Sequence, residues 1–267
     1  MEKVEILGVK VTADLKKNVL REISLYFDQK KAEPRYVVTP YSEFFVEASE
    51  NSAFREALNN AWIALPDGIG VIWAGYYLSV RGGIWNLMNS IMMTLTGQVM
   101  YHSPFPAKIS GSDIVTDLFE MAEEKNLRVM FVGSDDVTQK DCKRFVEAIY
   151  PGVRVFTGYT GKIEEGEVPD EVRNSIQEKR PDMVIVALSY PRQEMFLHTL
   201  TREVAGQYLA FGLGGTLDFI SGRQKRAPKW MQKSGLEWLY RLVREPSRGG
   251  RMVRAVVQFP LLVLRSK

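Results

Sequence analysis

Apolar residues in this chain gather into short runs set between longer stretches of helical period. RYVVTP (35–40), WIALPD (62–67), RVMFVG (128–133), VRVFTG (153–158), MVIVAL (183–188) and YLAFGL (208–213) are rich in Val, Ile, Leu and Phe and stop at or beside Pro, Asp, Gly or Ser. Such runs read as strands. Their apolar positions are consecutive rather than alternating, which means both faces of each strand are covered. Helical stretches of about 12–20 residues separate most of them, so the pattern predicts an α/β fold: a Rossmann-like, mostly parallel sheet flanked by helices. Residues 2–12 read as a hairpin or strand, and 14–31, 42–50 and 52–60 as helices. Ligands of parallel sheets sit beyond the carboxyl ends of the strands. Thr39, Asp67, Gly133, Ser189 and Gly212 fall at those ends.

Two segments stand apart from this alternation. Between Arg81 and Lys108 there is no Asp, Glu, Lys or Arg. Within it Ile84, Leu87, Met88, Ile91, Met92, Leu95 and Val99 recur at helical spacing. Asn86, Asn89, Ser90, Thr94 and Gln98 take most of the other side, which is too polar for a membrane-spanning helix. The segment suits a core or subunit-interface helix, or one lying in a lipid interface. The second segment is the tail. A helix is expected from Pro228 to Arg244, then a break at EPSRGG, then an amphipathic helix. Arg248, Arg251 and Arg254 share one of its faces, and Pro260 is expected to kink or limit it.

Charge sharpens the division. The chain carries a net +3, but residues 223–267 hold twelve Lys or Arg against Glu237 and Glu245, a net +10 that leaves −7 on residues 1–222. Residues 1–222 therefore read as the α/β core, and 223–267 as a basic appendage that meets something anionic. Its cations are interleaved with Leu, Val and Phe, which suits a bilayer better than nucleic acid. One cysteine, Cys142, leaves no intramolecular disulfide and fits a reducing compartment. MEKVEILGVKV lacks the apolar core of a signal peptide, so the expected location is cytoplasmic.

Several strand-end residues carry candidate chemistry. Asp67, in LPDGIGV, either caps the following helix or accepts a proton from a substrate hydroxyl. Thr39 and Tyr41, in VVTPYS, are polar groups at another strand end. KISGSDIV (108–115) places Lys108, Gly111 and Asp113 where a loop enters a helix, a setting for a cap or a bound phosphate. Gly133 in FVGS follows the same logic. Pro191 opens a helix whose first turn contains Gln193, a candidate hydrogen-bond partner for a sugar or uracil. FGLGGTLDFISG brings Gly212, Gly214 and Gly215 after a strand without the full GxGxxG spacing of a dinucleotide site. There is no Walker motif, no GxSxG elbow and no DxD pair, and His102 and His198 are isolated. A metal, a cofactor or a histidine mechanism is not expected.

VVTPYSEFFVEA, LPDGIGV, KISGSDIV, FVGS, YPRQE, FGLGGTLDFISG and KRAPKWMQKSGLEWLYRLVREPSR occur in this order over nearly the whole chain. Together they resemble the WecG/TagA/CpsF glycosyltransferases. The resemblance implies inverting, metal-independent transfer of an N-acetylmannosamine-type sugar from a UDP donor. The implied acceptor is a polyprenyl-diphosphate-linked sugar, and the products feed teichoic acid linkage units, enterobacterial common antigen or capsule. It makes Asp67 the general base, lines the pocket with Thr39 and Gln193, and docks the basic tail on the inner face of the membrane. Arg241, Arg248 and Arg251 match the arginines assigned to the acceptor diphosphate. The chain departs from the family pattern at Tyr41, where Asn is usual, at Lys108, where Arg is usual, and in the length of the uncharged segment.

The chemistry fits the motifs. An acceptor hydroxyl loses its proton as it attacks the anomeric carbon, and a placed carboxylate can take it. The departing diphosphate gains charge that backbone N–H groups and arginines can stabilise. Two other readings predict different behaviour. A membrane-docked accessory subunit would show no turnover and co-purify with a transferase, and a nucleotide-dependent oxidoreductase would bind a nicotinamide cofactor. The uncharged stripe also allows self-association into a homo-oligomer.

Overall fold

The chain begins with an antiparallel hairpin, β1 (Lys3–Ile6) and β2 (Val9–Thr12). The six apolar runs then become six strands. They are β3 (Arg35–Val38), β4 (Ile63–Ala64), β5 (Arg128–Gly133), β6 (Arg154–Phe156), β7 (Met183–Ala187) and β8 (Leu209–Gly212). In the computed structural model, which describes residues 1–224, 227, 228, 231, 237–244 and 249–267, they lie in the order β4-β3-β8-β7-β5-β6. Every neighbouring pair is parallel, as the sequence pattern predicts.

Residues along each strand alternate between two core layers. Val37, Ile63, Phe131, Ile185 and Phe211 pack with α1 (Lys16–Phe27), α7 (Gly111–Glu124), α8 (Asp136–Ile149) and α11 (Thr216–Ile220). Tyr36, Val38, Ala64, Val132, Val186 and Ala210 pack on the other side with α2 (Ser42–Glu50), α3 (Ser52–Asn60), α4 (Ile69–Ser79), α9 (Asp170–Lys179) and α10 (Arg192–Glu203). Burial on both faces is the physical reason the runs show no alternation. Local signals set the helix starts. Asp135 accepts from the Thr138 N–H at 2.9 Å and begins α8, and Asn51 accepts from the Phe54 N–H at 3.0 Å and begins α3. Cys142 faces the core from α8, and burial pushes its thiol up to about 12, so it stays protonated.

Three readings are adjusted. The run 62–67 yields only a two-residue strand. Leu65 N–H still bonds to Val38 O at 2.8 Å and Asp67 N–H to Pro40 O at 3.2 Å, but Pro40 has no N–H to return a ladder bond to β4. The uncharged segment is two helices, α5 (Ile84–Leu95) and α6 (Val99–His102). The expected tail helix is described only in part, as α12 (Glu237–Arg244). Beyond it a continuous helical rod runs through α13 (Gly249–Val253), a π-helical stretch (Arg254–Gln258) and α14 (Phe259–Arg265). Pro260 does not end this rod. It sits in the first turn of α14, where a missing N–H costs little, and the widened π turn precedes it.

The rod straps across α2 and α4. Phe259 and Val263 are fully buried in the core, and the Phe259 ring centroid lies 5.3 Å from that of Phe45. Burying Phe259 contributes about 2–3 kcal/mol. Among the described residues no helix is long and apolar enough to cross a membrane.

Candidate active site

A pocket of about 330 Å³ opens at the carboxyl ends of the central strands. Thr39 and Tyr41 reach it from β3, Asp67 from β4, Leu188 and Ser189 from β7, and Leu213, Gly214 and Gly215 from β8. Gly111 and Ser112, in the first turn of α7, form another part of the wall. Arg251 enters from the strap. The pocket thus joins a carboxylate, a helix N-terminus with its positive dipole end, and a guanidinium.

Backbone stitching holds Asp67 in place. Its N–H bonds to Pro40 O at 3.2 Å, while the preceding Pro66 carbonyl accepts from Ile109 N–H at 3.0 Å. Gly68 follows with φ +88° and occupies the cap position of α4, so Asp67 is not the residue that caps this helix. That left-handed turn suits glycine and turns the chain into the helix directly behind the carboxylate.

Gln193 builds the opposite wall. Its Oε1 accepts from Gly214 N–H at 2.8 Å and from Leu188 N–H at 3.3 Å, tying the loops after β7 and β8 together. Its Nε2 donates to Glu194 Oε1 at 2.8 Å. Gly212 explains how the amide fits, since a Cβ there would lie 2.9 Å from Gln193 Nε2. Thr39 Oγ1 donates to Gly212 O at 3.3 Å and links β3 to the same loop.

Glu194 is fully buried, and its Oε2 has no hydrogen-bond partner among the described residues. Burial pushes its carboxyl up to about 7. An unfolded glutamate releases its proton near 4.5, so between those two values the native state holds an extra proton and stability falls as pH rises. Denaturant titrations at several pH values should show the wild type losing up to roughly 3 kcal/mol from pH 4 to pH 8 relative to Glu194→Gln. Parallel curves for the two proteins would refute this.

Arg251 and its neighbours form the pocket's aromatic and ionic rim. Its Nε donates to Glu43 Oε1 at 2.8 Å, with a second contact from the terminal nitrogen. Glu43 is fully buried, and the Tyr41 hydroxyl donates to the same carboxylate oxygen. The guanidinium carbon stands 4.8 Å from the Tyr190 ring centroid and 5.7 Å from that of Tyr41. Phe44 stacks on Tyr190 with centroids 5.1 Å apart. Burial pulls the Arg251 pKa down, yet a guanidinium keeps its charge at neutral pH. One turn on, Arg254 pairs with Glu47 and Glu50 of α2.

A profile described as the glycosyl transferase WecG/TagA/CpsF family matches residues 4–83 and 76–267. The chain belongs to this family. Among its relatives is an N-acetylglucosaminyldiphosphoundecaprenol N-acetyl-beta-D-mannosaminyltransferase of Bacillus spizizenii, 35% identical over 85% of this chain and 77% of the relative. A Bacillus subtilis protein of the same name is 32% identical over 91% of this chain and 83% of its own. A Staphylococcus aureus protein, again of that name, is 24% identical over 94% and 88%.

The family motifs converge unevenly. Thr39, Tyr41, Asp67, Gly111, Gln193, Gly214, Gly215 and Arg251 line the pocket. Lys108, Asp113, Gly133 and Gly212 do not. Asp113 accepts from Ser110 Oγ at 2.6 Å and completes a capping box for α7. Gly133 serves strand packing, since a Cβ there would lie 2.6 Å from Ala187 O. Arg241 belongs to α12, and Arg248 lies outside the described residues. Tyr41 uses its hydroxyl on Glu43. The sequence reading missed Tyr190, Asp218 and Glu43. For Glu43 the signal was the acidic row Glu43, Glu47 and Glu50 on one helix face, matched by Arg251 and Arg254. Among the described residues no three His, Cys, Asp or Glu side chains are grouped as metal ligands would be.

Proposed function

We propose that this protein transfers an N-acetylmannosamine-type sugar from a UDP donor to N-acetylglucosamine on a polyprenyl diphosphate, in the synthesis of cell-surface polysaccharide or teichoic acid. The observation that carries the reading is the meeting of Asp67, the α7 N-terminus and Arg251 in one pocket of a family member. The Asp67 carboxylate takes the proton of the acceptor hydroxyl as that oxygen attacks the anomeric carbon. The bond to the UDP oxygen breaks on the opposite face, which inverts the anomeric centre. Charge grows on the departing diphosphate and is met by the α7 N-terminus, backbone N–H groups and arginine, so no metal is needed in this scheme.

The basic appendage, 223–267, docks on the inner face of the cell membrane, where anionic lipid contributes roughly 1 kcal/mol per cation near the surface. Arg241 and Arg248, with Arg251, serve the acceptor diphosphate. Removing 223–267 also removes the Phe259 plug, so a milder change is the better probe of docking.

A panel of UDP-sugars incubated with a short-chain polyprenyl-diphosphate N-acetylglucosamine tests the reaction through nucleotide release. One donor should turn over, without loss of rate in a chelator. If no donor turns over and the protein co-purifies with another transferase, the accessory-subunit reading replaces this one.

A further inference from the structure

Helix α5 is laid on the protein by its polar edge. Its single fully buried residue is Ser90, whose Oγ accepts from Trp73 Nε1 at 3.0 Å, while Leu87 and Met93 are half-buried against the core. The apolar side turns outward: Ile84 is 64% exposed, Trp85 79%, Met88 53%, Met92 58% and Leu95 68%, with Ile91 beside them. Tyr101 on α6, 86% exposed, extends the patch. A folded domain seldom leaves so many large apolar side chains in water on one helix.

Three observations say what covers it. The two most exposed members, Trp85 and Tyr101, are rings with an apolar body and a polar edge, the type that settles at the level of lipid headgroups. No acid lies anywhere between residues 82 and 107, while exposed Arg81 precedes the root of α5 and exposed Lys267 packs against Gly82 beside it. Lys267 Nζ is fixed there by the carbonyls of Tyr77 and Val80. An apolar face edged by cations complements an anionic leaflet, whereas those cations would repel their copies across a twofold contact. Position agrees as well. Helix α4 starts directly after Asp67, spans roughly 16 Å to the root of α5 and packs on α5, so one short stretch of chain joins the patch to the carboxylate.

We infer that α5, with Tyr101, is a second membrane-docking element that lies in the interface of an anionic bilayer and holds the pocket over the leaflet. This rests on the proposed polyprenyl-linked acceptor, whose hydrocarbon stays in the bilayer while its sugar reaches Asp67. The tail supplies charge, and α5 adds a larger apolar face that carries no charge of its own.

The test uses the full chain and vesicles of phosphatidylglycerol and phosphatidylcholine in equal parts. Trp85→Glu, Met88→Glu and Met92→Glu together should weaken vesicle binding at least about tenfold, with the melting temperature and turnover of a water-soluble acceptor analogue unchanged. Because Cys142 is buried, Met92→Cys can carry an environment-sensitive fluorophore, whose emission should shift to the blue and resist iodide quenching once vesicles are added. Wild-type vesicle binding by the triple variant, or no change at the label while the protein sediments with vesicles, overturns the inference. Shielding of the label that needs only more protein, with dimers in solution, assigns the face to a second copy instead. Failure of the transferase reading looks different: the wild type releases no nucleotide with any donor, whatever it does on vesicles.

Discussion

Asp67→Asn is expected to slow sugar transfer by about 100- to 10,000-fold, the range a general base contributes. Asparagine keeps the shape and hydrogen-bonding reach of the side chain but cannot take up the proton of the attacking hydroxyl. The backbone bonds that place residue 67 run through its N–H and the Pro66 carbonyl, and neither is altered. The loss should therefore fall on kcat, with KM for the donor little changed and thermal unfolding near that of the wild type. Asp218 is the informative control, because it is another carboxylate on the same pocket. If Asp67→Asn turned over at the wild-type rate and Asp218→Asn did not, the base would be Asp218.

Arg251→Ala should have two separable consequences. It leaves Glu43 as a carboxylate sealed in the core without its guanidinium, and breaking such a pair costs about 3–5 kcal/mol. Arg251 is 29% exposed on its side chain, so the lower end of that range is expected, read as a fall in the denaturation midpoint. It also removes a cation from the pocket. Glu43→Gln with Arg251→Met removes both charges and should recover most of the stability. Turnover should stay low, because the acceptor diphosphate still lacks one of its arginines. If the double variant regained full activity, Arg251 would be only a strut between the strap and α2.

How far the molecule could be read from its residues depends on how local each signal is. The six strands are legible because burial on both faces writes itself into consecutive apolar residues. β4 and β6, the two edge strands, come out shorter than their runs, β4 most of all because Pro40 of its partner strand has no N–H to give. Helices α2 and α3 match the expected 42–50 and 52–60 to the residue. Asp67, Thr39 and Gln193 are found through strand ends and family motifs. What Gln193 does is not legible, since its partners Leu188 and Gly214 belong to two different loops. Glu43 pairs with a residue 208 positions away, and the acidic row on α2 that it belongs to does not by itself name that partner. The uncharged segment shows a helix but not its orientation. Leu87 and Ser90 decide that by packing on α4, and the apolar stripe ends up facing out.

The sheet order carries a consequence for how the chain assembles. Strands β5 to β8 come from one contiguous stretch, 128–212, and β3 and β4 from another, 35–64. Within the sheet these two halves meet along the seam of β3 against β8, where Tyr36 aligns with Ala210, and outside it α3 packs on α10. Closing that seam brings together residues far apart in the chain, so its contacts form after the local ones. The Thr39–Gly212 hydrogen bond crosses the seam at its upper end, under the pocket floor. A substrate that touches both Thr39 and Gly214 is held by both halves at once. Its binding free energy therefore also works against their separation, and the loaded protein resists unfolding more than the empty one.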